Sequence, residues 1–413
     1  MSNIYEPYCR VLLNSGSRFI YTTHKIIGAT LEKLKTEYPS FHTEIPINEK
    51  VAYELALTGS IAGKRNTCMF SAERVYEALD PIMSSAYTGV IGGLLIIGIR
   101  DTVEEVTPLG LFSKMPLFVT ETLDDFTRAV TSGYTISEKY EIPVIIQVTP
   151  EESPATGHQP PVTSHHSPPT THEARFVRNP ARWAATPQFR FSLHKELNDK
   201  LNNIREDLET YEGNKKVIKG KRGVITTRMV YSSFPDGDES ILTLSTVHPL
   251  PRKLVSSFIS EVDTFYIVEG EYPVIELQIG DREKLIKEPF FAGHSKEKHE
   301  ETMYGFYVVR DILGPASSIN MAHGIKRSSP EKKLLAITFE DAFFHSGMPA
   351  FINTLYNNSS YLLLIMTNKR AQEIENLLKG WGFTNIFYLK DVNEIERFKD
   401  SDEMTVVFYK GMV

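Results

Sequence analysis

Apolar and polar positions change rhythm several times along the chain. From Ser17 to Val148 short β-branched or apolar runs alternate with amphipathic stretches. RFIYTT leads into HKIIGATLEKLKTEY, GGLLIIGIR follows a helical ERVYEALDPIMSSAYTG, and YEIPVIIQVTP closes the block. That alternation predicts a mainly parallel sheet covered by helices on both faces, an α/β domain over residues 1–150. The longest apolar run, GVIGGLLIIGI from Gly89 to Ile99, falls well short of the roughly 20 residues that span a bilayer and reads as a buried strand. Residues 151–172, EESPATGHQPPVTSHHSPPTTH, lack the aliphatic content to offset the entropy of ordering and predict an extended linker. Its four histidines, His158, His165, His166 and His172, show no metal-ligand spacing and are read as solvated.

Leu197, Leu201, Ile204 and Leu208 recur at helical spacing and predict one amphipathic helix ended by Gly213. It is too brief for a free-standing coiled coil, so it should pack on its own chain. A second α/β block over 173–285 follows, and a third over 286–413. Within the third, Leu334 to Arg370 reads as an apolar strand, an acidic step, a helix, a second apolar strand and an asparagine.

Composition narrows the function classes. At 413 residues the chain is too long for one compact core. Net charge of -7 gives no overall basic footprint, which argues against a nucleic-acid partner. The two cysteines, Cys9 and Cys68, form no CxxC pair, so a disulfide framework, a zinc site and an iron-sulfur cluster are not expected on this chain, and a reducing cytoplasmic compartment fits. No signal peptide and no membrane span are expected.

Six segments taken in order carry a family likeness: INEKVAYELALTGSIAG (Ile47 to Gly63), ALDPIMSSAYTGVIGGLLII (Ala78 to Ile97), RFVRNPARWAATP (Arg175 to Pro187), VHPLPRKLVSSFISEVDTFYIVEGEYPVIE (Val247 to Glu276), SSINMAHGI (Ser317 to Ile325) and FFHSGMPAFINTLYN (Phe343 to Asn357). Together they resemble the alpha subunit of the indolepyruvate:ferredoxin oxidoreductases, of the thiamine-diphosphate-dependent 2-oxoacid:acceptor oxidoreductase family. The resemblance implies three consecutive α/β domains: a pyrimidine-binding (PYR) type over 1–150, a transketolase C-terminal type over 173–285, and a truncated diphosphate-binding (PP) type over 286–413. It also implies thiamine diphosphate and Mg²⁺ as cofactors, a gamma-type subunit and ferredoxin as partners, and a homodimer or hetero-oligomer.

Residue by residue, the likeness puts Glu49, after Asn48, at the glutamate that touches the cofactor's aminopyrimidine. Alone, the same residue reads as a carboxylate in a first helical turn. Glu340 or Asp341, with Asn368, match the Mg²⁺ ligands, and Phe343 and His345 match cofactor-side positions. Departures are equally specific. Phe339 stands where a glycine lets backbone approach phosphate. KRAQEIENLLKGWGF follows Asn368 in place of a Thr- and Gly-rich loop, and no Cys-Pro-Gly-Cys precedes SSINMAHG. YTTHKIIG replaces a turn of small residues and puts His24 in the first-strand turn, where α/β sites form. RDTVEEVTPLGLFSK likewise replaces a Ser-, Asn- and Gln-rich loop. His323 and His345 also read as ordinary structural histidines. Asp236-Gly237-Asp238 reads as a turn, since no calcium-ligand spacing follows.

Three readings stay open on the sequence: a thiamine-diphosphate-dependent 2-oxoacid oxidoreductase subunit, a non-catalytic structural or regulatory paralogue that has lost cofactor binding, and a different acid-base reaction using His24, Glu49 and Glu340.

Overall fold

A computed structural model describes residues 3–100, 105–150, 179–183, 186–227, 238–270, 272–286, 302–311 and 314–410. The linker 151–172 with its histidines, Asp236-Gly237 and most of the segment ahead of SSINMAHG lie outside the described residues. The chain divides into two compact units, Met1–Phe290 and Phe291–Val413.

In the first unit the leading strands are β1 (Phe19–Thr22), β2 (His42–Glu44), β3 (Asn66–Ser71), β4 (Leu94–Ile99), β5 (Leu117–Thr120) and β6 (Val144–Val148). They line up as β2-β1-β3-β4-β6-β5, all parallel. Every residue of β4 is buried, the expected state of a central strand covered on both faces. The order moves away from β1 in both directions, so the carboxyl ends of β1 and β3 flank a topological switch point, where α/β sheets open a crevice.

The later strands of this unit are β7 (Lys215–Val217), β8 (Arg222–Thr227), β9 (Ser240–Leu244), β10 (Thr246–His248) and β11 (Thr264–Val268). Four of them form a second sheet, β11-β8-β9-β7, with only β7 antiparallel. β10 instead joins the first sheet antiparallel to β5. One apolar cluster accordingly runs from Tyr5 to Ile279. The helix carrying the Leu197 repeat spans Pro187–Leu208, and its buried face, Leu193, Leu197, Leu201, Ile204 and Leu208, packs within this unit against helices Leu79–Thr88 and Leu123–Tyr140. It stops before the expected Gly213. Glu209 accepts backbone N–H groups of Lys253 and Leu254 at 2.9 and 2.8 Å, so a tertiary tie takes the chain at the helix end.

The second unit holds β12 (Thr302–Met303), β13 (Phe306–Val309), β14 (Leu334–Phe339), β15 (Leu362–Met366), β16 (Ile386–Leu389) and β17 (Thr405–Tyr409), ordered β12-β13-β14-β15-β17-β16 with only β12 antiparallel. Alternate residues of β15 divide between two apolar clusters, Leu363 and Ile365 in one, Leu362 and Leu364 in the other, as the two-residue period of a strand requires. Phe339 pairs with Met366, so the chain leaves β14 at Glu340 and β15 at Thr367 side by side. The α/β class with mainly parallel sheets thus holds. Among the described residues no helix is long and apolar enough to cross a membrane.

Candidate functional site

In the first unit, a polar group gathers at the switch point. Asn48 caps the helix Glu49–Ile61 by accepting the Val51 N–H at 2.9 Å, which fixes Glu49 as the first helical residue. Glu49 is completely buried. Thr23, just past β1, donates its hydroxyl to Glu49 Oε1 at 2.6 Å. Arg74, just past β3, forks onto the same carboxylate: Nε to Oε1, and Nη2 to Oε2 at 3.0 Å. Both oxygens therefore hold a donor, and a two-point Arg pair fixes the plane of the carboxylate. Burial, and then the charge of Glu49, push the neighbouring Glu77 carboxyl up to about 7, with Arg74 opposing.

His24 sits at this end of β1 in another capacity. It is the N-cap of the helix Lys25–Leu34: its Nδ1 accepts the Ile27 N–H at 3.4 Å, and its ring meets Tyr5 edge-on with centroids 4.9 Å apart. The sequence pointed to Glu49 and His24. It did not point to Arg74 or Thr23, which lie 25 and 26 positions from Glu49 and reach it only through the sheet.

In the second unit, Glu340 is 5% exposed. Its Oε2 accepts three consecutive backbone N–H groups, from Asn368 at 2.9 Å, Lys369 at 3.2 Å and Arg370 at 3.1 Å. These amides lie between β15 and the helix Ala371–Gly380, so the turn presents its donors and the positive helix end to one carboxylate oxygen. Asn368 and Lys369 are exposed. The Arg370 guanidinium lies over the Phe344 ring, 3.5 Å from its centroid, and pairs with Glu373 at 3.0 Å.

Another carboxylate at the same sheet edge is also engaged. Asp311, beyond β13, accepts the Ser318 N–H at 3.0 Å and the Thr338 hydroxyl at 2.7 Å. Asp341 is half-buried, and Phe343 is fully buried, with the Phe344 and Phe351 rings 6.4 and 6.2 Å away. His345 Nδ1 shares a hydrogen bond with the Ser346 hydroxyl. The structure therefore brings Glu340 to Asn368 through the backbone of Asn368.

Mg²⁺ wants a near-octahedral set of oxygens at about 2.1 Å. Here Glu340 Oε2 faces three N–H donors, and both Asp311 oxygens take donors. Among the described residues no group of three or more His, Cys, Asp or Glu side chains is placed to hold a metal ion. Glu340 Oε2 would have to give up its three amide donors before that oxygen could take a metal ion.

No protein-family model matches the chain. Curated relatives do. An indolepyruvate oxidoreductase subunit IorA of Pyrococcus horikoshii is 22% identical over 79% of this chain and 67% of its own length. The protein of the same name from Archaeoglobus fulgidus is 23% identical over the same shares, and that of Methanothermobacter marburgensis is 21% identical over 88% of this chain and 74% of its own. Among solved structures, a 2-oxoglutarate:ferredoxin oxidoreductase of Magnetococcus marinus aligns over 69% of this chain and 61% of its own, with TM-score 0.50 and 13% identity, a likeness of fold. The resemblance read from the sequence is thereby shown: the chain is a distant relative of the IorA proteins.

Proposed function

We propose that this relative of the 2-oxoacid:ferredoxin oxidoreductase-type proteins keeps the alpha-subunit scaffold and acts as a structural or regulatory partner of an oxidoreductase, without taking up magnesium thiamine diphosphate. The observation that carries the reading is Glu340. The residue matched to a metal ligand gives one oxygen to three amides of the turn that should face metal and diphosphate. Seating a doubly charged diphosphate there requires expelling a buried carboxylate or placing like charges together, and both oppose binding. The exposed Phe339 ring, where a glycine would admit phosphate to the backbone, supports the same reading.

The partner is a gamma-type subunit, met in the cytoplasm, in a hetero-oligomer that has no nucleic-acid component. Isolation of the protein from its own cells tests this. Co-elution in fixed ratio with a 2-oxoacid oxidoreductase subunit is expected. Elution of the chain by itself, with no such subunit under mild conditions, refutes the partnership.

A second reading, a catalytic thiamine-diphosphate-dependent subunit, is favoured by one feature. Glu49 stands buried at the start of a helix at the switch point, the position the likeness assigns to the activating glutamate. Its two-point pair with Arg74 opposes that role, since the guanidinium already holds both oxygens and competes with a ring nitrogen for the same carboxylate.

A further inference from the structure

We propose a second binding site in the first unit, at the amino-terminal end of the first sheet, for a small phosphorylated molecule that carries a flat ring. A concavity of about 450 Å³ opens there, within the roughly 300 to 1,000 Å³ range of small-molecule sites. Arg18, His42 and Lys64 stand around it, with Phe19, Phe41 and Pro39 as apolar lining. Among the described residues no carboxylate lines the basin, although the chain as a whole carries a charge of -7.

The three basic residues come from separate segments that the sheet ties together. Arg18 precedes β1, His42 opens β2 and Lys64 lies in the turn ahead of β3, and these strands are neighbours in the order β2-β1-β3. The Arg18 N–H donates to Arg65 O at 2.9 Å, and the His42 N–H donates to Arg18 O at 2.9 Å. Backbone bonds thus set the spacing of these residues. Arg18 Nη1 donates to the Ser40 hydroxyl at 2.8 Å, which steadies the guanidinium while leaving its charge unneutralised.

Nearby arginines are treated differently. Arg10 is paired with Glu37 and Arg65 with Glu138. Neither Arg18 nor Lys64 has a carboxylate partner among the described residues, and His42 has Glu44 at 3.6 Å. An arginine fork beside a lysine ammonium is a phosphate-binding combination, giving directed bonds and a mobile point charge. The rings of Phe19 and His42, with centroids 5.8 Å apart, offer a face for a planar group. Because the basin lies at the amino ends of the strands and Glu49 at the carboxyl ends, the two sites of this sheet can be tested separately.

Titration calorimetry on the intact protein tests the proposal, using ADP without divalent cation, inorganic phosphate and adenosine as probes. ADP should give saturable one-to-one heat, with phosphate and adenosine each at least tenfold weaker. The double variant R18A/K64A should bind ADP at least tenfold more weakly and melt at the wild-type temperature, since both side chains are exposed. Absence of saturable heat with ADP, equal ADP affinity in R18A/K64A, or phosphate or adenosine binding as tightly as ADP would each overturn it.

Discussion

Replacing Glu340 by alanine removes the charge on which the Asn368, Lys369 and Arg370 amides converge. A hydrogen bond to a charged group contributes roughly 1.5–3 kcal/mol, and a buried donor left without an acceptor costs about 1–3 kcal/mol. The three bonds share one oxygen, so they do not add in full. Asn368 and Lys369 are exposed, so water reaches part of the emptied turn. The expected loss for Glu340→Ala is therefore about 2–4 kcal/mol in the second unit. Glu340→Gln keeps a neutral acceptor in place and should lose about half as much. The sequence has two tryptophans, and Trp381 lies in the second unit, packed near Phe351 with ring centroids 6.5 Å apart. Urea unfolding followed by Trp381 fluorescence in a W183F background then reports on that unit. If the turn is a receptor for negative charge, acetate or phosphate should raise the midpoint of E340A more than chloride does at equal ionic strength. A loss below about 0.5 kcal/mol with no discrimination among anions would show that the amides do not depend on Glu340.

Three other outcomes follow from the packing and the charges. Arg74→Met takes the two-point guanidinium from the fully buried Glu49 carboxylate and should destabilise the first unit by about 3–5 kcal/mol in urea unfolding, with part of the loss recovered in E49Q/R74M. Burial, aided by the charges of Arg205 and Lys114, depresses His248 to about 4, and its Nδ1 donates to Met115 O at 2.7 Å. Its folded value lies below the unfolded one, so stability present above about pH 6.5 is lost as pH falls towards 4, by about 3 kcal/mol in total, and His248→Asn should flatten that limb of the pH-stability curve. Glu269 is shifted the other way, to about 7, by burial. Its contribution is full below about pH 4.5 and is lost as pH rises through 7, so Glu269→Gln should gain stability relative to wild type at pH 8, by at most about 3 kcal/mol, with no gain at pH 4.

Elements whose cause is local were legible in the sequence. The strand, acidic step, helix, strand and asparagine read from Leu334 to Arg370 correspond to β14, Glu340, the helical segments through Tyr356, β15 and Asn368. The Leu197 repeat marked a real buried helix face, and Asn48-Glu49 marked a real helix start. What the sequence withheld was the partner of each candidate carboxylate. Arg74 is an unremarkable residue of ERVYEA until β1 and β3 lie side by side and bring it to Glu49. The donors that hold Glu340 are backbone amides, which leave no mark on residue identity, so the Asn368 N–H bond to that carboxylate has no signature in the sequence. His24, read as a cleft residue, shows a cap's hydrogen bond to Ile27. β10 is invisible as a member of the first sheet, because its pairing with β5 joins positions far apart in the chain.

The account rests on the Asn368–Arg370 turn being filled by Glu340 and so unavailable to a metal-bound diphosphate. Titration of the intact protein with thiamine diphosphate in the presence of Mg²⁺ measures this most directly. The predicted result is no saturable heat up to millimolar cofactor, in the wild type and in the presence of a 2-oxoacid. Saturable one-to-one binding that requires Mg²⁺ and is weakened by E340Q would contradict it, and would return Glu340 to the role of a metal ligand.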